Sequence, residues 1–307
     1  MPGHDIAPWA WIPIVLWAAF AQTIRNATQR TLVARVGTLA ATLVRFLYGL
    51  PFALAWLVLV HLITASPWRL PPIDAAYLGW LLLGACAQLV ATALLLTAMK
   101  QRNFIIGVTF SKTEVLQVGI FGTVMLQELP TLVSGVAMVV ATIGVVLLSL
   151  PKKAGPGALA WNGSAAGFGL ASGACFALSA VGYRGAALEL APTLPWLVGA
   201  WNVALAQGLQ SLLLGGWIAW RQPGTLQAIA QAWRPSLLAG MMGALASIGW
   251  LTATALRPAA DVRTLGLVEV FFSYLVSRQF FQERMSPREI AGLVLVLAGV
   301  LAAGASM

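Results

Sequence analysis

Long apolar runs fill this chain, and short clusters of proline and charge separate them. A helix needs about 20 mostly apolar residues to cross a bilayer. Ten runs meet that length, at roughly 9–28, 38–62, 76–99, 104–126, 131–149, 164–187, 194–220, 236–256, 261–281 and 287–305. The breaks fall at Arg30–Arg35, Ser66–Asp74, Lys100–Asn103, Glu128–Pro130, Pro151–Gly157, Glu189–Pro195, Arg221–Pro235, Arg257–Asp261 and Glu283–Pro287. The runs are too long for barrel strands and do not alternate, which excludes a β-barrel. The pattern predicts an all-α polytopic membrane protein. Trp9, Trp11, Trp68, Trp161, Trp196, Trp220 and Trp233 fall near predicted ends, where interfacial aromatic belts lie.

Composition agrees with that pattern. Only 9% of the 307 residues are charged and 60% are hydrophobic, with a mean hydropathy of +0.86. Soluble domains carry about 25% charged residues, so a soluble enzyme or a nucleic-acid-binding domain is excluded. The net charge of +9 arises from 18 Lys/Arg against 9 Asp/Glu, scattered through short loops, where it sets topology and meets lipid headgroups. The first residues, Met1–Ala7, hold no Lys or Arg and do not read as a cleavable signal. Cys86 and Cys175 each stand alone inside an apolar run and read as packing.

The second feature of the pattern is a repeat. The Pro- and Gly-rich linker 151–157 leaves five runs in a first half, residues 1–150, and five in a second, residues 158–307. A shift of 155 carries Glu114 onto Glu269, Glu128 onto Glu283 and Gly144 onto Gly299. A shift of 156 lays Phe20-Ala21 on Phe176-Ala177. Five crossings per half is an odd number, so the second half enters the membrane inverted. Inverted repeats are a common transporter plan, with the substrate site near the midplane between them.

These residues also resemble a known family. Leu16-Trp-Ala-Ala-Phe20 is similar to the opening of the EamA branch of the drug/metabolite transporter superfamily. Ser111–Leu116, Gln127-Glu128 and Gly144–Leu147 resemble its Glu…Glu…Gly pattern, which Glu269, Glu283 and Gly299–Leu301 repeat. Val115 and Val270 stand where the family usually has proline, and the aromatic-Pro signature of its aromatic amino-acid exporters is absent. The resemblance implies ten helices, both termini in the cytoplasm and a cavity lined by spans 1, 3, 4, 6, 8 and 9. It also implies secondary-active movement, usually efflux, of small metabolites. Charge bias points the other way on topology. The loops between spans 1–2, 3–4, 5–6, 7–8 and 9–10 hold ten Lys/Arg against three (Arg69, Arg257 and Arg263) on the side of the termini. The positive-inside rule then places both termini outside.

Ionisable groups inside spans are functional candidates. Gln22, Arg25, Asn26 and Gln29 follow the i, i+3, i+4, i+7 spacing and share one face of span 1. That face contacts either substrate, with Arg25 set to pair with a carboxylate or phosphate, or neighbouring helices as polar glue. Glu114 and Glu269 are repeat counterparts suited to proton coupling or to substrate binding, or else are held in salt bridges, with Arg45 or Arg25 as candidate partners of Glu114. Lys112 lies about 200° round the helix from Glu114, which points it elsewhere. Glu128 and Glu283 read as interface anchors or salt-bridge partners. Gln88, Gln117, Tyr183, Asn202, Trp250 and Tyr274 offer hydrogen bonds or an aromatic wall, or ordinary packing. The deep charges leave one positive excess, which favours a zwitterionic or anionic substrate. Gly169-x-x-x-Gly173 and Gly299-x-x-x-Ala303 have the spacing for close helix approach.

The expected function is a secondary transporter, an exporter by family resemblance, of an amino-acid-like zwitterion or organic anion. It works by alternating access in a bacterial-type inner membrane. Its expected partners are the small molecule, lipid and protons, with no nucleic acid, no metal and no cofactor, in a monomer or weak homodimer. The alternatives are a non-transporting scaffold and an intramembrane enzyme. No GxSxG, HExxH or Walker A motif supports a catalytic role.

Overall fold

A computed structural model describes residues 7–66, 70–100, 110–149, 163–190, 194–272, 275 and 286–305. The described residues are predominantly helical, without a strand. The helices are α1 (Trp11–Val36), α2 (Thr38–Leu47), α3 (Leu50–Ile63), α4 (Ala75–Lys100), α5 (Glu114–Leu126), α6 (Leu132–Ser149), α7 (Gly163–Glu189), α8 (Pro195–Arg221), α9 (Pro223–Gln231), α10 (Trp233–Leu256), α11 (Ala259–Leu265) and α12 (Pro287–Ala305).

Among the described residues, six helices are long and apolar enough to cross a membrane, with α2 and α3 counted as one stretch, Thr38–Ile63. This is a multi-pass membrane protein. Its outward faces fit that reading: Ile120, Val124, Leu132, Val136 and Ile143 are exposed on α5 and α6, an arrangement that lipid tolerates and water does not. In lipid every backbone polar group must be satisfied within the segment, which is why the runs close into helices. α1 has 26 residues, but the polar stripe in its C-terminal half keeps it out of the apolar set.

Three sequence boundaries are corrected. The run 38–62 is two helices, broken at Tyr48-Gly49. Pro51 in the first turn of α3 has no N–H for the preceding turn, and a Cβ at Gly49 would lie 2.6 Å from the Arg45 carbonyl. The break Arg221–Pro235 contains α9, seated against the end of α8. The run 261–281 begins as the short α11 and a 3₁₀ turn, Gly266–Val268, rather than as a continuous span. The first part of the fourth run, the end of the ninth and the linker 151–157 lie outside the described residues.

Local signals set several ends. Gly37 alone joins α1 to α2 at φ +84°, a conformation glycine adopts at little cost. The Tyr77 amide donates to the Asp74 carboxylate at 2.8 Å, capping α4. Ser286 and Glu289 form a reciprocal capping box on α12.

Three pairings dominate the packing: α4 with α7, α1 with α10, and α6 with α12. Small residues make each of them close. A Cβ on Gly182 would meet the Gly84 backbone at 2.6 Å, and one on Gly249 would meet Ala18 at 2.7 Å. One on Gly299 would meet the Ala137 carbonyl at 2.7 Å. The Gly299 spacing therefore serves intramolecular packing, as does Gly173, which abuts the backbone at Ser111. Van der Waals contact at such crossings drives association where lipid removes the hydrophobic gain. α2 and α3 pack on α8. Cys86 and Cys175 are free thiols. Trp11 is buried rather than interfacial, with Arg257 over its ring at 5.8 Å.

Candidate functional site

The polar stripe of α1 faces the start of the helical segment after the 3₁₀ turn, and Glu269 is where the two meet. Gln22 donates through Nε2 to Glu269 Oε2 at 2.7 Å. Asn26 donates through Nδ2 to Oε1 at 2.8 Å. Lys112 Nζ approaches Oε2 at 3.4 Å from just before α5. Both carboxylate oxygens are thus engaged, by donors separated from Glu269 by 157 to 247 positions. Trp250 on α10 donates its indole N–H to Gln22 Oε1 at 3.0 Å, which orients the Gln22 amide. Arg25 donates to Asn26 Oδ1 at 2.7 Å and does the same for Asn26.

A second ion pair lies beside it. Glu114 Oε1 is 3.3 Å from Arg263 Nε, each side chain 14% exposed. Neither atom completes a well-formed hydrogen bond, so the pair is held by charge more than by geometry. Arg263 also lies over the Trp250 ring at 5.0 Å. Gly266 makes the platform for that indole: a Cβ there would come within 2.5 Å of it. Gln22, Lys112, Glu114, Trp250, Arg263, Gly266 and Glu269 line one cavity of about 30 Å³. That volume admits a water or two and is too small for an organic molecule.

The sequence candidates therefore divide. Gln22, Lys112, Glu114, Trp250 and Glu269 line the cavity, and Asn26 and Arg25 join it through hydrogen bonds. Gln29 is helix glue, donating to the Ala41 carbonyl of α2 at 2.8 Å. Gln117 donates to Thr113. Gln88 and Tyr183 belong to a separate buried cluster. Tyr183 donates to Gln88 at 3.0 Å, and Gln210 of α8 donates to Gln88 at 2.8 Å. Nearby on α8, Asn202 accepts from Tyr77 at 2.8 Å. Arg45 donates to Thr92 at 3.4 Å and has no ion pair among the described residues. Tyr274 lies outside the described residues.

Two expectations are corrected. The partner of Glu114 is Arg263, not Arg25 or Arg45. Arg263 is accordingly no loop residue: it sits in α11 within the bundle. Pro258 and Asp261 beside it made the segment read as a connection, so the one signal available, an arginine close to an apolar stretch, pointed to the wrong place. On the ten-span reading, setting it aside leaves ten positive charges against two. Gln210 went unnoticed because a lone glutamine in an apolar run has no periodicity to flag it.

Of the two roles open to Glu128, interface anchor or salt-bridge partner, it takes the second. Arg184 Nη2 lies 2.8 Å from Glu128 Oε1, and Arg184 Nη1 donates to the carbonyls of Thr254 and Ala255 at the end of α10. The arginine therefore ties the turn after α5 to α7 and α10 at one end of the bundle. A double-mutant cycle of Glu128→Gln and Arg184→Gln should give a coupling of about 1 kcal/mol, since both groups retain some solvent. Additive unfolding free energies would mean that Arg184 acts through the α10 carbonyls alone.

No protein-family model matches the chain, and no curated protein matches it. Solved structures do: 27 chains match. One of them is a crystal structure described only as that of a protein. It aligns over 96% of this chain and 95% of its own at a TM-score of 0.69 and 13% identity. At that identity the likeness shows a shared fold. The multi-pass membrane character rests on the apolar helices of the described residues.

Proposed function

We propose that the chain is a secondary transporter of the drug/metabolite type, moving a small polar or amphipathic metabolite by alternating access between two inverted five-helix repeats. The observation that carries the reading is the cavity itself. Two carboxylates related by the repeat, Glu114 and Glu269, converge on it from opposite halves of the chain. Each is paired with a cation, Arg263 or Lys112, from the half it does not belong to. A crossed arrangement of this kind is altered whenever the halves rock, which couples the ion pairs to the motion.

The packing supports the repeat. Exchanging the halves turns span 1 into span 6 and span 3 into span 8. The α1–α10 and α4–α7 pairings then exchange, and α6–α12 and α3–α8 map onto themselves. A pseudo-twofold axis requires both. Of the two carboxylates, Glu114 suits proton coupling, because among the described residues it has one ion pair and no side-chain amide donor, which leaves it free to change partner. Ten positive charges against two favour termini outside the cell. A vestibule of about 440 Å³ opens among Val36–Ala40, Ala93, Thr97 and Gln222, at the positively charged end. On that orientation it faces the cytoplasm, the loading side of an exporter.

The test is counterflow in proteoliposomes. Amino acids, carboxylates, phosphate esters and amines are first screened for a rise in melting temperature, since a ligand stabilises the state it binds. At least one stabilising compound should accumulate in liposomes. Glu114→Gln should lose its dependence on a pH gradient while retaining exchange. If no compound in the four classes moves, the transport reading is wrong.

A further inference from the structure

Two buried arginines lie outside the Glu269 cluster's ion pairs. Arg25 is 5% exposed and Arg45 is 3% exposed. Both press on the same spot of α10: a Cβ at Gly243 would meet Arg45 Cγ at 3.1 Å and Arg25 Cδ at 3.4 Å. Neither forms an ion pair among the described residues. Arg25 gives Nε and Nη2 to Asn26, and its Nη1 has no acceptor. Arg45 has one long bond to Thr92 and a cation–π contact with Phe46, and its Nε has no acceptor. Two adjacent guanidinium groups with unmet donors are a costly arrangement in a membrane interior.

A vestibule lies on the same helices, one to two turns nearer the surface. The vestibule is large enough for a metabolite. Thr38 lies on its wall, and Arg45 is seven residues further along α2, about 10 Å deeper. On α4, Thr97 lines the vestibule and Thr92, the hydrogen-bond acceptor of Arg45, lies just beyond it. Exposed Arg35 and Arg221 adjoin the lining residues Val36 and Gln222, giving the mouth a positive field. From Arg45 the donors continue through Arg25 and Asn26 to the Glu269 cavity.

We infer that Arg25 and Arg45 together receive an oxyanion, the carboxylate or phosphate group of a small organic acid that enters from this vestibule. The inference rests on the transporter reading for its biological sense, though binding itself requires no transport. Guanidinium forks suit both oxyanions, because their donors match paired oxygens. The anion supplies the missing acceptors and neutralises the pair. The rest of the molecule then lies toward Trp250 and Gln22.

The test is thermal unfolding of the purified full-length protein in detergent. Inorganic phosphate, succinate and the uncharged succinamide are the probes, at constant ionic strength. Phosphate or succinate should raise the melting temperature of the wild type, and succinamide should leave it unchanged. Which oxyanion gives the larger shift at equal concentration separates a phosphate ester from a carboxylate as substrate. Arg45→Met should abolish the shift and raise the melting temperature of the anion-free protein by about 2–4 °C. Thr92 keeps its bond to the Gln88 carbonyl in that variant, so no group is newly orphaned. A purely structural arginine would lower the melting temperature instead. Arg25→Gln should weaken anion binding at least tenfold.

The proposal falls if neither oxyanion shifts the wild type, or if Arg45→Met retains the shift. Oxyanion binding that depends on Arg45, with no movement of any compound in liposomes, would uphold this site and sink the transport reading. Transport of a compound indifferent to Arg45→Met would do the reverse.

Discussion

Glu269→Ala is expected to lower unfolding stability by about 3 kcal/mol and to abolish the proposed transport. The stability loss follows from what the carboxylate holds. Its removal leaves the Lys112 ammonium and the Gln22 and Asn26 amides without their acceptor, at a site where the Glu269 side chain is 9% exposed. Breaking a buried pair by deleting one partner costs about 3–5 kcal/mol, and the lower end applies because Lys112 is 26% exposed. Glu269→Gln separates charge from shape. It keeps an oxygen for one donor and should cost about 1–2 kcal/mol, the range of an ordinary hydrogen-bond loss. Counterflow should vanish in both variants, because Gln22 and Asn26 lose their common anchor. Denaturant unfolding in mild detergent gives the first quantity. A change below about 0.5 kcal/mol for Glu269→Ala, typical of a surface substitution, would show that the carboxylate does not hold this part of the bundle together.

The second large effect concerns a residue with no side chain. Gly182→Val is expected to destabilise the protein by about 3 kcal/mol or more, at the upper end of overpacking costs. Its Cβ would lie 2.6 Å from the Gly84 amide nitrogen, 2.8 Å from Gly84 Cα and 3.0 Å from the Trp80 carbonyl. All three are backbone atoms and cannot turn aside, so α4 and α7 must move apart. Gly84 and Gly185 on the same crossing already lie against the rings of Tyr183 and Trp80, which leaves no slack. The movement would also pull Tyr183 away from Gln88 and Gln210. Gly167→Ala, on the same helix with nothing within 4 Å, supplies the control. It should be neutral or stabilising by about 0.5–1 kcal/mol, the helix-propensity difference. Thermal melting followed by size-exclusion chromatography distinguishes the two. Equal melting temperatures would mean that the crossing is looser than the distances state.

The two residues differ in how legible they are from the sequence. Glu269 stands out because an acid in an apolar run is costly and needs a reason. Gly182 does not, being one of 30 glycines, and its importance comes from what it faces. The same contrast runs through the α1 stripe. Its four polar residues share a face by helical period, as expected. Yet Gln22 and Asn26 serve Glu269, Arg25 braces Asn26, and Gln29 binds a carbonyl of α2. Periodicity selects the face. It does not say what that face meets one turn further on, where α2 replaces the Glu269 segment as the neighbour.

What the sequence determined by itself was the solvent of the protein and the helical form that solvent imposes. Apolar length leaves lipid as the only medium, and lipid forces backbone groups into helices. It also singled out a short set of buried charges. The tertiary structure alone decided their partners. Glu114 with Arg263, Lys112 with Glu269, and Arg25 beside Arg45 are pairings between separate helices. Nothing local encodes such pairings. They depend on where the glycine-lined crossings set the helix axes, and on breaks such as the one at Gly49 that turn a run into two segments. The same physics explains the misplaced Arg263. A short helix after Pro258 resembles a loop by composition, and only the packing of α11 against α5 brings its arginine to a carboxylate.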